Sequence, residues 1–302
     1  MTTVETVQYR TPLAVAFHDL VTDAPITDGL VVSARRAGAG GRFRAGRPTP
    51  SGVHVLSGLP FLRDAEFPKN RAGQRTETAD TPSGRTVEVD VLAEDRLGRF
   101  LPTVLRLSAP SDRVATAADA LSACPSLVWS VPADTPMFLM SAPGRELPRT
   151  TAVARACLRH RATGDPAAHA VLVVITAAGR AIGVADLRGH VVVAFPYPDF
   201  AGTGPPGSIP AGSHGIPTDE QEWPVTVTVR YEPAALTFPA GVDVPHVHSV
   251  FCQRAGAVVA DDQAPGQPTM AGTLRYGIEL QLATAGVTDP RRGSYLFVEP
   301  AP

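Results

Sequence analysis

The stretch TVEVDVLA, residues 86–93, decides the fold class because its apolar and acidic residues alternate strictly. Its three valines share one face of an extended chain, whereas Glu88 and Asp90 share the other. A period of two residues predicts a half-buried strand, which is typical of antiparallel sheets. We therefore expect a β-strand whose two acidic side chains point into water.

Short apolar or alternating runs of the same kind recur in both halves of the chain. They cover residues 13–17 (LAVAF), 29–34 (GLVVSA), 53–56 (VHVL), 100–107 (FLPTVLRL), 170–176 (AVLVVIT), 190–195 (HVVVAF) and 223–231 (WPVTVTVRY). The 302 residues include 30 prolines and 27 glycines, which disfavour long helices and favour strands joined by turns. The sequence therefore predicts an all-β protein.

The two halves present their strands and turns in the same order, which predicts two copies of one sandwich topology. We expect an N-terminal β-sandwich over residues 1–107 and a second one over residues 149–234. Between them, residues 108–148 are predicted to form a proline-rich linker with one short helix, at residues 114–123, and one strand at residues 137–140. Residues 235–302, called the tail below, are predicted to form a β-rich C-terminal extension that packs on its own chain or on a neighbour.

Charge and hydropathy exclude several functions. The formal net charge is −2, from 27 basic and 29 acidic residues, so binding of nucleic acid through bulk charge is not expected. No apolar run approaches the roughly 18 residues of a membrane span. Residues 1–10 lack the basic and apolar regions of a secretory signal, so we expect a cytoplasmic location.

The three cysteines predict neither a disulfide framework nor a zinc site. Cys124, Cys157 and Cys252 are far apart, odd in number and contain no CxxC pair. We expect free, buried thiols in a reducing compartment.

No catalytic motif is present. The sequence lacks a GxSxG nucleophile elbow, and Ser51, Ser126 and Asp95 have the surroundings of turn residues. We therefore expect no catalytic residue, no cofactor and no enzymatic activity.

His246 and His248 are the candidates for a metal site. In an extended segment, two histidines two residues apart lie on one face, and Asp243 or Cys252 is near enough in sequence to add a ligand. The alternative is a polar strand face at the surface.

With no catalytic motif in the sequence, we expect the protein to act through contacts with other proteins. The basic, glycine-rich stretch of residues 35–49 is expected to be a mobile loop. The interface candidates are Arg42, Arg44, Phe61, Phe67, Trp223, Tyr276 and Phe297.

Two short motifs resemble the carboxypeptidase regulatory-like, or transthyretin-like, β-sandwich family. The run GVADLRGHVVVAFP, residues 183–196, resembles that family's GxADxxGxVxxxFP pattern. TPSGVHVLSGLP, residues 49–60, is similar to a second family stretch, but no PGxY follows Pro60. The resemblance implies two Ig-like or transthyretin-like sandwiches.

A second resemblance concerns function. DRLGRFLP (residues 95–102) is its most specific element, and MFLMSAPGRELP (residues 137–148) is a second element. These segments resemble two-domain proteins encoded beside phage-tail-like contractile injection systems. That resemblance implies a non-enzymatic structural component at or near a baseplate, with protein partners and with homo-oligomerisation left open. The alternatives are a ligand- or carbohydrate-binding module and an accessory domain of a metal-dependent hydrolase.

Overall fold

The computed structural model describes residues 12–66, 86–111, 113–121, 134–148, 150–198 and 221–301. The protein is all-β, with its sheets arranged as sandwiches. The chain divides into two compact units. Unit 1 comprises residues 1–97, 102–139 and 237–249, and unit 2 comprises residues 98–101, 140–236 and 250–302.

Unit 1 is built from two sheets. Its strands are β1 (Ala14–Asp19), β2 (Leu30–Arg36), β3 (Arg44–Ala45), β4 (Arg47–Pro48), β5 (Val53–Val55), β6 (Val87–Asp95), β7 (Thr103–Ala109), β8 (Val114–Ala115) and β9 (Met137–Leu139). One sheet has the order β4-β5-β1-β8, and β9 also pairs with β1. The other sheet has the order β3-β2-β6-β7.

The alternation read from the sequence sets the inward faces of unit 1. In β6 the residues Val89, Val91 and Ala93 are fully buried, and β1 of the other sheet buries Val15 and Phe17. Successive side chains of a strand point to opposite faces of its sheet. The buried residues at every second position therefore form one apolar face, which packs inward. The strictly alternating stretch is thus the antiparallel strand that the sequence predicts.

Unit 2 repeats this design with two further sheets. Its strands are β10 (Thr151–His160), β11 (Val171–Thr176), β12 (Gly179–Val184), β13 (His190–Pro196), β14 (Glu222–Arg230), β15 (Ala257–Val258), β16 (Met270–Arg275), β17 (Leu280–Leu282) and β18 (Tyr295–Glu299). One sheet has the order β13-β10-β18-β15, with β17 also on β10, and the other has the order β12-β11-β14-β16. Both sheets contribute side chains to one core, including Leu158, Leu172, Val227 and Leu296.

The sheet orders of the two units correspond. In each unit the first strand pairs antiparallel with a strand of the first half and parallel with the last strands: β1 with β5, β8 and β9, and β10 with β13, β17 and β18. The second sheets, β3-β2-β6-β7 and β12-β11-β14-β16, match position by position. The repeated topology predicted from the sequence is therefore present.

The boundaries of the units differ from the predicted ones in the same way in both halves. Strands β8 and β9 and the helix α2 (Ala117–Leu121) lie in the stretch predicted as a linker. They belong to unit 1, because β8 and β9 pair with its first strand. Likewise, the tail supplies β15–β18 to unit 2. The tail therefore packs on its own chain.

The remaining helices are short. They are α1 (Arg63–Glu66) and α3 (Val247–Phe251), with one-turn 3₁₀ segments at Pro60–Leu62 and Pro233–Ala235. Among the residues described, no helix has both the length and the apolar character that crossing a membrane requires.

One glycine of unit 2 marks a close approach between strands. Gly183 in β12 faces the backbone of β13, and a Cβ added there would lie 2.2 Å from the carbonyl oxygen of Val192. The sandwich closes at this corner because residue 183 has no side chain. The family-like run of residues 183–196 thus contains a turn and a contact that specify packing.

Candidate functional site

A row of charged side chains crosses the outer face of the second sheet of unit 1. Arg35 on β2 is paired with Asp90 on β6, and Asp90 is paired with Arg106 on β7. Directly opposed residues of antiparallel strands share a face, so the three side chains lie in line. The Nε and Nη2 atoms of Arg106 both donate to Asp90 Oδ1 at 3.1 Å, and Arg35 Nε lies 3.9 Å from Asp90 Oδ2.

We call Arg35, Asp90 and Arg106 the ladder. Arg35 and Asp90 are buried, although they face away from the core between the sheets. The side chains of Asp90 and Arg35 are only 1% and 8% exposed, whereas that of Arg106 is 45% exposed. The cover includes residues Thr237–Ser249, called the strap below, which belong to unit 1. Arg35 Nη2 donates to the carbonyl of Ala240 at 2.7 Å, and Arg35 also stacks on Phe43 at 4.3 Å.

His246 fixes the other end of the strap. Its backbone forms a parallel bridge with Val104 on β7, which is the edge strand of its sheet. The ring atom Nε2 lies 2.9 Å from Nη2 of Arg106 and 3.8 Å from Oδ1 of Asp90. A guanidinium only donates, so Nε2 accepts and the ring carries its proton on Nδ1. Burial lowers the pKa of His246, and the cation of Arg106 lowers it further.

The cluster is incompletely satisfied. Arg35 Nε, Asp90 Oδ2 and His246 Nδ1 are buried and have no hydrogen-bond partner. A partly satisfied polar network in a low-dielectric site is costly, so this cluster is a point of local weakness. Because Asp90 and His246 are buried, a substrate cannot reach the carboxylate or the imidazole. The contacts of the cluster instead hold the strap on unit 1.

Two expectations from the sequence change here. Glu88 and Asp90 were both expected to point into water; Glu88 is exposed, but Asp90 is buried under the strap. His246 does not lie on an extended strand beside His248, because both are close to or within the short helix α3. With the proton of His246 on Nδ1, the one free lone pair of the ring, on Nε2, already accepts from Arg106. The described residues contain no group of three metal-ligating side chains.

The arginine-rich stretch contains two short strands, whereas the sequence predicts a loop throughout. Residues 44–48 supply β3 to one sheet and β4 to the other. Gly46 connects them: its N–H donates to the carbonyl of Val32 at 2.8 Å, and an added Cβ would lie 2.7 Å from the side chain of Leu56. This part of the chain is therefore a corner of the sandwich.

Four exposed arginines lie at that corner: Arg47 on β4 and three that we call the arginine hairpin, Arg36, Arg42 and Arg44. Arg44 is paired with Ala34, so it shares a face with Arg36, two residues further along β2. Arg42 lies at the turn end of the same hairpin. No carboxylate of the described residues lies within 4 Å of these three guanidinium groups, although Arg44 donates to the carbonyl of Gly58 at 3.3 Å.

In unit 2, two of the interface candidates lie in one aromatic cluster. Tyr197 packs against Trp223 with ring centroids 5.5 Å apart and against Tyr276 at 4.8 Å. The hydroxyl of Tyr197 accepts a hydrogen bond from the N–H of Gly277 at 2.9 Å. Trp223 is only 8% exposed and the rings are mutually tilted, so the cluster does not form a flat platform of the kind that stacks on a sugar.

The phenylalanine candidates have different positions. Phe61 is half-buried in the 3₁₀ segment that follows β5. Phe67 lies outside the described residues. Phe297 is fully buried in β18 and packs at 6.3 Å from Tyr295, so it is a core residue rather than an interface residue.

The cysteines depart from the prediction of free thiols. Cys157 is free, but Cys252 is disulfide-bonded, and Cys124 lies outside the described residues. Disulfides persist in oxidising compartments. The odd count and the wide spacing gave no local signal of a bond.

Comparison with known proteins does not place the chain in a family. No family model and no curated protein matches it. Among solved structures it aligns with mutants of the shaft pilin SpaA from Lactobacillus rhamnosus GG. One alignment has 6% identity and a TM-score of 0.22, and covers 98% of this chain and 99% of the pilin chain. Another has 8% identity and a TM-score of 0.20, with 96% and 98% covered. Scores this low carry no argument about fold or function, so the fold rests on the sheet order itself.

Proposed function

We propose that this protein is a non-enzymatic structural component of a multi-protein assembly and that the arginine hairpin docks on a partner. The observation that carries the proposal is the set of three exposed guanidinium groups without a carboxylate of the described residues beside them. A guanidinium is always charged and pairs with carboxylates through two parallel hydrogen bonds. Such a surface fits an acidic protein partner.

The chain offers this surface on a rigid support. Gly46 holds the backbone of residues 44–48 against both sheets of unit 1, so the strand that bears Arg44 has a fixed position. A preorganised backbone loses less conformational entropy on binding than a mobile loop does. The buried ladder, by contrast, is closed to a substrate and serves the fold.

For the assembly, we propose a phage-tail-like contractile injection particle. The support is the resemblance of residues 95–102 and 137–148 to proteins encoded with such systems. Assembly in the cytoplasm followed by release would take the protein into an oxidising medium, where the disulfide at Cys252 would persist.

The test is co-purification from the native cell with two charge-matched double variants. Arg42→Glu with Arg44→Glu reverses the hairpin, whereas Arg188→Glu with Arg291→Glu changes two exposed arginines of unit 2 and alters the net charge equally. We expect the wild type and the unit 2 variant to co-purify with sheath, tube or baseplate proteins, identified by mass spectrometry, and the hairpin variant to lose them. Equal recovery by all three proteins would contradict docking through the hairpin.

A further inference from the structure

The contacts that join the strap to unit 1 include one titratable group, His246. Arg35 holds the carbonyl of Ala240, and Arg106 donates to His246. Within the strap, the N–H of His246 donates to the carbonyl of Thr237 at 2.8 Å, and the hydroxyl of Ser249 donates to the carbonyl of His246 at 2.8 Å. The strap thus forms a closed loop that is fastened to β7 through His246.

The contact between Arg106 and His246 exists only while the imidazole is neutral. Nε2 has a single lone pair, and it accepts the hydrogen bond from Nη2 of Arg106. A proton bound there would place an N–H group directly against a guanidinium donor. The hydrogen bond would be replaced by repulsion between two cations in a buried site.

The charges around the ring oppose protonation on balance. Arg106 and Arg35 are cations, and His248 on α3 adds a third when it is protonated; only Asp90, at 3.8 Å, favours the imidazolium. With neutral His246 the ladder contains two cations and one anion, and a further proton would add a second excess charge under the strap. Accordingly, the pKa of His246 is lowered by burial first and by Arg106 second.

We propose that the strap is an acid-released latch, in which protonation of His246 breaks its hydrogen bond to Arg106 and lifts residues 237–249 from the outer face of β6 and β7. The proton comes from solvent and binds Nε2 in the opened strap. Release exposes Asp90 and breaks the bridge of His246 to Val104 at the edge of β7. The latch stands on the ladder alone and is independent of what the arginine hairpin binds.

Hydrogen exchange of the full-length protein, measured by mass spectrometry and corrected for intrinsic rates, tests the latch. Between about pH 7.5 and about pH 5 the opening equilibrium of strap peptides is expected to rise, by at most about tenfold per pH unit because one proton is bound. Peptides from β6 are expected to keep their protection. Strap exchange that does not respond to pH would overturn the proposal.

Two matched variants locate the effect. His246→Gln keeps an oxygen that accepts from Arg106 but does not titrate, so its strap is expected to lose the pH response. His248→Gln removes the neighbouring, half-buried imidazole, and its strap is expected to keep the pH response. A pH response that survives in His246→Gln would overturn the latch. If that variant does not fold, exchange of the imidazole C2 proton in the wild type gives the titration of His246, and strap opening without that titration refutes the mechanism.

Discussion

Replacing Asp90 by Asn removes the one anion between two buried or half-buried cations while keeping the shape of the side chain. Breaking a buried ion pair costs about 3–5 kcal/mol, because the remaining charge is left uncompensated. Arg35 is 8% exposed and bears most of this cost, whereas Arg106 is 45% exposed and is partly screened by solvent. We therefore expect a loss of about 3 kcal/mol in the free energy of unfolding of unit 1.

Urea denaturation followed by far-UV circular dichroism measures the loss, and hydrogen exchange of β6 peptides assigns it to unit 1. With an m-value of about 2 kcal/mol per molar urea, the midpoint is expected to fall by about 1.5 M. The control is Glu94→Gln, on the same strand and the same face but exposed, which is expected to change stability by less than about 0.5 kcal/mol. A change that small in Asp90→Asn would contradict the expected cost of leaving Arg35 buried without a counter-charge.

Three further changes test other parts of the structure. Burial lowers the pKa of His54 and His169, as it does that of His246; the folded state therefore disfavours protonation, and thermal stability is expected to fall as the pH drops below about 6.5. A melting temperature equal at about pH 7.5 and about pH 5 would contradict this sign. Gly183→Ala is expected to cost about 1–3 kcal/mol because its Cβ meets the backbone of β13, whereas Gly144→Ala, with open space around it, is the neutral control. Deleting the tail removes four strands of unit 2 together with the strap, so we expect aggregation by light scattering, and a soluble, monomeric product would contradict it.

Strands with a local pattern were predictable from sequence. Residues 86–93 and 223–231 alternate with a period of two, and both form long antiparallel strands. The pattern needs no information about the partner strand, because alternation follows from the pleat itself. The same locality explains why the repeated order of strands could be read in both halves.

The last strands of each unit lacked such a pattern. β9 is buried throughout, and β18 is buried at its three central residues, so neither alternates. Each pairs in parallel with the first strand of its unit, a partner far away in sequence. The sequence therefore predicted a strand at residues 137–140 within a linker, and an extension for the tail, but did not assign these strands to the sandwiches. A short buried run does not indicate by its periodicity which strand it pairs with.

The buried ladder was hidden for a related reason. Asp90 lies on the polar face of an alternating strand, and nothing nearby in sequence indicates that His246 and the strap cover it. Arg35 and Arg106 could indicate an ion-pair row with Asp90 only after the pairing register of the three strands was known. The arginine hairpin, by contrast, was visible as a basic stretch, although its ordered corner at Gly46 was not.

Cryo-electron microscopy of injection particles purified from the native cell tests the proposed function most directly. We expect density for two β-sandwich units per copy, with Arg36, Arg42 and Arg44 facing carboxylates of a neighbouring subunit. Intact particles in which this protein is absent, or in which the arginine hairpin faces solvent in every copy, would contradict it.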